Sequence, residues 1–375
     1  MRSGNKFNTI PQKPKILVTP LDWGLGHATR CIPIINELIS LNCEVLIAAS
    51  GDGYFLLKKE FPTTVIFRIP GYKIEYSRKK KWLPFKLLLQ SPRLFFSIFK
   101  EYVWLKKAIK NNRIHAVVSD NRFGMFAKNI PCVYITHQLL IKTGNSFSEN
   151  FLQRIHYSFI KKFNYCWVPD YAQNGIAGEL SHQANKPGNV LYAGPLSRFE
   201  IWENMPLLYD VIVSISGPEP QRTIFEKIIL SQIKSTAKKI LVVRGLPGED
   251  MPMVSENASL KIVNHLSSHD LNKAFQQSEI VISRSGYTTV MDLVKLGKKA
   301  VLVPTPGQTE QEYVAYYLMK NKFFYSVEQD NFSVNAALNA ALSFPFTTFS
   351  RPMDDYKKII NEFVLSVKSG NFATR

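Results

Sequence analysis

The sequence is short of cysteine pairs and of long apolar runs. Its four cysteines stand far apart, and none forms a Cys-x-x-Cys pair. This spacing argues against structural zinc or a disulfide framework and fits a reducing compartment. No run of about 18 uncharged apolar residues is present, so we expect no membrane-spanning helix. Residues 1–15 lack the apolar core of a signal peptide, and we therefore expect a cytoplasmic protein.

Acidic residues are also scarce, with 29 Asp+Glu against 47 Lys+Arg and a formal net charge of +18. A chain this basic attracts polyanions, which include nucleic acids, anionic membranes and phosphorylated substrates. No helix-turn-helix, zinc-finger or RRM pattern is present, so we expect no nucleic-acid partner. A basic nucleic-acid-binding protein is the weakest of the alternatives that we keep open.

Residues 77–113 mix basic and aromatic residues most densely, in "SRKKKWLPFKLLLQSPRLFFSIFKEYVWLKKAIKNNR". Such a segment fits a helix on an anionic membrane surface, with aromatic side chains entering the interface. It equally fits a core helix with a solvated basic face. The membrane interpretation predicts a peripheral protein at the inner face of the plasma membrane.

Apolar strand-like runs alternate with helical patterns through most of the 375 residues. The predicted strands are residues 15–20, 44–50, 64–69, 115–120, 132–137, 165–169, 210–216, 239–245, 260–265, 279–284 and 299–304. This alternation predicts an α/β protein with two doubly wound, Rossmann-like domains. We place them at residues 1–195 and 196–350, followed by a C-terminal helix within residues 351–375 that glycine stops.

The first predicted strand leads into "DWGLGHATR", where Gly24 and Gly26 let a backbone or a ligand come close. This loop is a poor dinucleotide fingerprint, because position 29 is threonine and the second strand does not end in an acid. His27 follows the glycines at the start of a predicted helix. Its imidazole can act as a general base near pH 7, or it can simply position the loop.

Asp120 ends the strand at residues 115–120, and the carboxyl ends of parallel strands share one edge of a sheet. Asp120 can therefore orient the ring of His27 and raise its basicity, or it can cap a helix that begins near Asn121. His137 and Gln138 end the next strand and are candidate acceptor-binding residues.

The second half carries two consecutive strand–loop–helix units with polar loops, "ISRSGYTTVMDL" and "LVPTPGQTEQEYVA". Ser285 and Gly286 stand at a predicted helix N-terminus, which suits phosphate oxygens. Asp292 can accept hydrogen bonds from vicinal sugar hydroxyls. The second loop directs three more polar residues into the same crevice: Thr309, Glu310 and Gln311.

These two units resemble the carboxyl-domain signature of the glycosyltransferases related to MurG. The resemblance implies the GT-B fold, in which two Rossmann-like domains face each other across a cleft and a C-terminal helix returns to the first domain. It also implies that the first domain binds the acceptor and the second binds the nucleotide sugar. The specific motifs lie at about residues 192–313.

The resemblance further implies roles for single residues. Asp292 stands where the family has the glutamate that binds the donor ribose. Gln311 stands where the family has the first glutamine of a pair that contacts the donor sugar, whereas Glu312 replaces the second. Other matching positions are Arg198 and the Gly217 loop near the diphosphate, Ser285 and Gly286 near the phosphates, Leu266 beside the uracil, His27 in the Gly-Gly-His loop, and His137 and Gln138 facing the acceptor.

Together these features predict inverting transfer of an N-acetylhexosamine or hexose from a UDP-sugar to a lipid-linked or glycan acceptor. His27 would be the base, and helix N-termini with Arg198 would stabilise the diphosphate. No Asp-x-Asp motif is present, so we expect neither a metal nor another cofactor. A UDP-sugar 2-epimerase of the same fold is the alternative, although such an enzyme has no use for a membrane-facing segment.

Overall fold

The computed structural model describes residues 13–72, 83–143, 145–233, 237–248 and 257–372, and it describes only the backbone of residues 83–91. Residues 77–82 of the basic aromatic segment therefore lie outside the described residues. The described chain forms two parallel β-sheets, both covered by helices. The prediction of two doubly wound α/β halves is confirmed.

The first sheet has the strand order β3-β2-β1-β4-β5-β6-β7, and all neighbouring strands are parallel. Its strands are β1 (Lys15–Pro20), β2 (Glu44–Ala49), β3 (Val65–Arg68), β4 (Ala116–Asp120), β5 (Cys132–Ile135), β6 (Tyr165–Val168) and β7 (Val190–Tyr192). The helices of this half are α1 (Leu25–Ser40), α2 (Gly51–Glu60), α3 (Leu83–Asn112) and α4 (Ser146–Ile160).

The second sheet has the order β10-β9-β8-β11-β12-β13 and is also parallel throughout. Its strands are β8 (Tyr209–Ser214), β9 (Ile240–Val243), β10 (Leu260–Val263), β11 (Ser278–Ser283), β12 (Lys299–Leu302) and β13 (Tyr325–Ser326). The helices are α5 (Gln221–Ile233), α6 (Ser268–Gln276), α7 (Tyr287–Leu296), α8 (Thr309–Lys320), α9 (Val334–Ser343) and α10 (Asp355–Ser369). The sequence analysis missed β7 and β13, because edge strands of three and two residues leave no periodic pattern.

Alternate residues of each strand point into different cores. Ile16 and Val18 of β1 enter a central core that both halves share, whereas Leu17 enters an outer core of the first half. In β8, Ile212 faces the central core and Val211 faces the outer core of the second half. The apolar layers therefore continue from one half into the other and fix the two sheets relative to each other.

Helix α10 returns from the second half to the first. Phe363 packs edge-on against Trp167 of β6, with ring centroids 5.4 Å apart, and Lys368 donates to the carbonyl of Leu41 beyond α1. Gly370 ends the helix in the left-handed conformation with φ 70°, which glycine adopts at low cost. This is the returning C-terminal helix that the sequence predicts.

Each sheet has a topological switch point, where the strand order reverses and a crevice opens at the carboxyl ends of the strands. In the first sheet it lies between β1 and β4, so the loop before His27 and the end of β4 at Asp120 flank it. In the second sheet it lies between β8 and β11, beside Gly217 and Ser285. The fold thus brings His27 and Asp120 to one crevice and Gly217 and Ser285 to the other.

Helix α3 carries much of the basic aromatic segment. One face enters the core through Ile98, Leu105 and Ala108. On the other face Phe95, Phe96 and Phe99 are each more than half exposed. Within the described ranges, every helix is too short or too polar to cross a membrane. One face of α3 therefore packs into the core, and the opposite face exposes aromatic rings on the surface.

Candidate active site

His27 lies in the first turn of α1, directly after the first strand of the sheet. Gly24 precedes the helix with φ 76°, a left-handed conformation that strains other residues. The tight turn at Gly24 lets the chain leave β1 and begin α1 at the switch point. The side chain of His27 then points along the carboxyl edge towards β4.

The structure brings His27 and Asp120 together. His27 Nδ1 lies 2.9 Å from Asp120 Oδ1, and Asp120 is fully buried. Residues 121–131 form loop and turns, so Asp120 does not cap a helix there. Arg30, one helical turn after His27, donates through Nε to Asp120 Oδ2 at 2.5 Å and through Nη2 to Oδ1. The sequence analysis missed Arg30, although its i,i+3 spacing from His27 placed both on one face of α1.

Burial and charge set the protonation of this cluster. Burial alone would raise the pKa of Asp120, but Arg30 and His27 outweigh it and lower the pKa to about 2. Burial lowers the pKa of His27 below 6.5, Arg30 adds to this effect, and Asp120 opposes it. At pH 7 the cluster therefore combines a carboxylate, a guanidinium and a neutral imidazole that can accept a proton.

A second histidine joins the two halves. His137 Nε2 lies 2.7 Å from Glu310 Oε1 at the start of α8, and Gln138 Nε2 donates to the other carboxylate oxygen. The His137 ring also stacks on Tyr287 of α7, with centroids 4.3 Å apart. The tyrosine hydroxyl donates to the carbonyl of Pro169 at 2.8 Å. The edge of the first sheet is therefore in direct contact with the helix N-termini of the second half.

The carboxyl edge of the second sheet is rich in unsatisfied polar groups. Four of the seven buried side-chain atoms without a hydrogen-bond partner among the described residues lie there: Arg198 Nε, Ser283 Oγ, Arg284 Nε and Thr305 Oγ1. Buried polar groups are almost always paired, so a cluster of unpaired ones indicates a site for a polar ligand. The N-terminus of α7 begins beside them, with Gly286 as its N-cap.

Asp292, Ser197 and Arg198 form a buried group behind this edge. Asp292 Oδ1 accepts a hydrogen bond of 2.7 Å from Ser197 Oγ, and Arg198 Nε lies 3.7 Å from the other oxygen. Burial raises the pKa of Asp292 to about 6, although Arg198 and Ser197 oppose the shift. Arg198 Nη1 also donates to Ser268 Oγ at the start of α6. A cation and a hydrogen-bond acceptor thus stand together beside the helix N-termini.

Comparison with known proteins decides what kind of protein this is. Residues 221–356 match the glycosyltransferase family 28 C-terminal domain. An uncharacterised glycosyltransferase of Methanosarcina acetivorans is 22% identical over 323 residues, which cover 80% of this chain and 81% of that protein. The UDP-N-acetylglucosamine–N-acetylmuramyl-(pentapeptide) pyrophosphoryl-undecaprenol N-acetylglucosamine transferase of Caldanaerobacter subterraneus is 21% identical, with coverage of 80% and 83%.

The chain is a glycosyltransferase of the GT-B fold, and it is similar to the glycosyltransferases related to MurG. The fold is shared with solved glycosyltransferases such as SnogD from Streptomyces nogalater. That similarity has a TM-score of 0.55 at 12% identity and covers 96% of both chains. The carboxyl half of the enzyme is the half that matches the family domain, and it contains the edge with the unpaired polar groups.

Two residues of the predicted donor set lie elsewhere than expected. We predicted that Thr309 and Glu310 line the crevice of the second half beside Gln311. In the structure Glu310 binds His137 and Gln138, and Thr309 Oγ1 donates to the carbonyl of Lys142, so both contact the first half. The reason is that α8 begins where the two halves meet, so that Thr309 and Glu310 face the first half while Gln311 contacts its own half.

Other predicted residues shape the loops around the crevice. Gln311 Oε1 accepts from the backbone N–H of Thr305 at 3.0 Å, and its carbonyl accepts from Ser285 Oγ at 2.8 Å. Gly217 adopts φ 111° between β8 and α5 and lies beside Thr305. Leu266 is partly buried against the central core. These contacts hold the loops that follow β8, β11 and β12 in one arrangement.

Gly26 has a neighbour that the sequence analysis missed. Its carbonyl accepts a hydrogen bond of 3.0 Å from Thr288 Oγ1 of α7, and a Cβ on Gly26 would lie 3.2 Å from that oxygen. We predicted that this glycine makes room for an acceptor. The structure shows that it makes room for the second half of the enzyme, so α7 can approach α1 closely.

Proposed function

We propose that the enzyme transfers a hexose or N-acetylhexosamine from a UDP-sugar to a lipid-linked or membrane-associated acceptor, with inversion and without a metal ion. The observation that carries this proposal is the His27–Asp120 pair at the switch point of the first sheet. Nδ1 of His27 is engaged by Asp120, while Nε2 has no hydrogen-bond partner among the described residues. A neutral imidazole with a free nitrogen at the carboxyl edge of a parallel sheet is suited to general base catalysis.

In this proposal the acceptor binds on the first half and the donor on the second, with residues 1–195 and 196–350 as the two domains. The N-terminus of α7 and the guanidinium of Arg198 supply positive charge for the donor diphosphate. Asp292 accepts hydrogen bonds from the donor ribose. The relative from Caldanaerobacter subterraneus, whose name specifies a UDP-sugar donor and an undecaprenyl acceptor, supports this assignment.

The proposed reaction is a single displacement. The acceptor hydroxyl oxygen attacks the anomeric carbon of the donor sugar from the face opposite the diphosphate, which inverts the configuration. His27 Nε2 takes the hydroxyl proton as the new glycosidic bond forms. The bond to the diphosphate oxygen breaks, and UDP leaves with both bonding electrons. Fixed N–H groups and Arg198 stabilise the charge that develops on the leaving group, which is the role that a metal ion has in other transferases.

Helix α3 supports contact with an anionic membrane at the cytoplasmic face. Phe95, Phe96 and Phe99 are exposed, and Lys100 Nζ lies 4.3 Å from the centroid of the Phe96 ring. Exposed aromatic rings beside basic groups fit an interfacial helix, in which rings enter the headgroup region and lysines contact phosphates. A membrane-bound acceptor is then presented to the same half that holds His27.

The test of the activity is a donor screen followed by an acceptor assay. Thermal shift with UDP- and GDP-sugars identifies the donor, because a ligand that binds the folded state raises the melting temperature. With that donor, we expect UDP release that depends on added lipid-linked acceptor. UDP release at the same rate without acceptor, or binding of no nucleotide sugar, would overturn the proposal.

The test of the membrane contact uses vesicles. The triple variant Phe95→Ser, Phe96→Ser, Phe99→Ser should lose binding to phosphatidylglycerol vesicles and keep its donor affinity. The control is Leu365→Ser, which removes an exposed apolar side chain from α10. Equal vesicle binding by the triple variant and the control would refute the assignment of α3 to the membrane.

A further inference from the structure

Arg30 is the one residue that contacts both histidines of the site among the described residues. Its side chain is buried, and the guanidinium forms a bidentate pair with Asp120 through Nε and Nη2. Nη1 lies 3.1 Å from His137 Nδ1, and Nη2 lies 2.9 Å from His27 Nδ1. Because a guanidinium has five N–H donors in a fixed plane and no acceptor, each contact restricts where the protons of its neighbours can lie.

The contacts of His137 determine which of its nitrogens carries the proton. Arg30 Nη1 can only donate, so Nδ1 of His137 must present its lone pair to it. At the other end of the ring, Nε2 lies 2.7 Å from a carboxylate oxygen of Glu310, which can only accept. Both neighbours therefore select the same neutral form, with the proton on Nε2.

The contacts of His27 select the opposite form. With the Asn121 amide oxygen turned towards Arg30, both protons of Nη2 have an oxygen acceptor, one in Asp120 and one in Asn121 at 3.2 Å. Neither proton then needs the lone pair of His27 Nδ1, although the two nitrogens lie 2.9 Å apart. Nδ1 of His27 faces the carboxylate of Asp120 at 2.9 Å, where a lone pair would be repelled. The proton of His27 therefore lies on Nδ1, and its Nε2 carries a lone pair.

We propose that Arg30 is a positioning residue that holds the two histidines in opposite tautomers, His27 with a free acceptor at Nε2 and His137 with a donor at Nε2. The bond that one ring nitrogen makes decides what the other can do. This inference rests on the proposed function for its catalytic meaning, since it explains why only His27 can act as the base. His137 is restricted to donating a hydrogen bond, to Glu310 in this structure and to a substrate oxygen in the same place when one is bound.

The inference also explains why the guanidinium of Arg30 lies so close to His27, the proposed base. Arg30 neutralises Asp120, so the carboxylate orients His27 without drawing a second proton onto the ring. Without the guanidinium, the buried carboxylate would face His27 alone and would stabilise the imidazolium. Such a ring has no lone pair, and it cannot take a proton from an acceptor.

The test is the tautomeric state of the histidines, measured by two-dimensional 15N NMR on the full chain labelled at histidine. Signals of His27 and His137 are assigned from the spectra of His27→Gln and His137→Gln. At pH 7.5 we expect the wild-type enzyme to show His27 protonated on Nδ1 and His137 protonated on Nε2, each as a single tautomer. The reverse assignment, or a mixture at both rings, would overturn the inference.

Two variants extend the test. In Arg30→Met, the His27 signals should move to the doubly protonated form, and the acid limb of the pH–rate profile should move to higher pH. Arg30→Lys keeps the charge but removes the planar, forked set of donors, so His137 should become a mixture of tautomers. This variant keeps the inference testable if Arg30→Met fails to fold. The control Arg122→Lys removes another buried guanidinium of the first half, which is paired with Glu101. It should leave both histidines unchanged.

The outcomes separate this inference from the proposed function. Unchanged histidine spectra in both Arg30 variants would refute the inference, whether or not the enzyme transfers sugar. The predicted spectra together with a failure to use any nucleotide sugar would refute the proposed function and leave the positioning role of Arg30 in place. In an active enzyme, Arg30→Met should lower kcat by about 100-fold, as expected for loss of a general base, with a smaller effect on KM for the donor.

Discussion

Replacing Asp120 by asparagine should destabilise the first half strongly. The carboxylate is fully buried and accepts from His27 Nδ1 at 2.9 Å and from Arg30 Nε at 2.5 Å. An asparagine of the same shape has one acceptor oxygen and one NH2 donor. Either His27 or Arg30 would therefore point its own N–H group at that donor instead of at an oxygen. The guanidinium of Arg30 would then stay buried without a counterion. Breaking a buried ion pair in this way costs about 3–5 kcal/mol.

The pKa of Asp120 gives a second measure of the same interaction. Its fall from 3.8 to about 2 corresponds to about 2.5 kcal/mol of stability. Because the pKa is lowered in the folded state, this contribution is complete above about pH 5 and is lost progressively as the pH falls through about 2. The substitution costs more than the pKa shift alone, since it also leaves the charge of Arg30 uncompensated.

Urea unfolding at pH 7, followed by tryptophan fluorescence, measures the effect. We expect Asp120→Asn to lower the free energy of unfolding by about 3–5 kcal/mol. The control is Asp354→Asn, which removes an exposed carboxylate 3.8 Å from Lys295 and should cost less than about 1 kcal/mol. A loss below about 1 kcal/mol for Asp120→Asn as well would refute the view that this is a desolvated ion pair.

Three further predictions concern the loop, the donor side and the pH dependence. Gly24→Ala should lower the free energy of unfolding in urea by about 1–2 kcal/mol because φ is 76°. Gly188→Ala should have little effect, because Gly188 is not in the left-handed region; an added Cβ meets no atom within 4 Å at either glycine. Asp292→Asn should weaken UDP binding at least about tenfold by calorimetry, and wild-type affinity should fall as the pH drops through about 6, where the carboxylate gains a proton. Equal affinity at pH 5 and pH 8 would argue against Asp292 as the ribose acceptor. The kcat/KM of the wild-type enzyme should rise with pH, with its midpoint below pH 6.5, because burial lowers the pKa of His27. A midpoint above pH 7 would contradict the assignment of His27 as the base.

The sequence predicted those parts of the fold that depend on long, periodic patterns. Buried strands such as β1 and β9 are largely apolar runs between helices, and the alternation of such strands with helices specifies two parallel sheets. Parallel strands share one carboxyl edge, which is why the pairing of His27 with Asp120 could be anticipated from two strand ends. The short edge strand β13 has no such pattern, and its position depends on the partner strand.

The contacts between the two halves could not be predicted from the sequence. Glu310 is distant from His137 along the chain, and only the packing of α8 against the first sheet brings the two side chains together. The same holds for Gly26 and Thr288. Arg30 lies close to His27 in the sequence, yet its partner Asp120 is on another strand. Local patterns indicate which residues share an edge, but not which side chain of one half meets which side chain of the other.

The most direct test of the account compares the transfer rates of His27→Ala and His115→Ala with the same donor and lipid-linked acceptor. His115 precedes the amino end of β4, the strand that ends in Asp120, and it accepts a hydrogen bond from the backbone N–H of Lys15. Loss of a general base should lower the rate of His27→Ala by about 10²–10⁴-fold. His115→Ala should transfer sugar at close to the wild-type rate. A wild-type rate for His27→Ala would contradict the central claim that this histidine takes the proton of the acceptor.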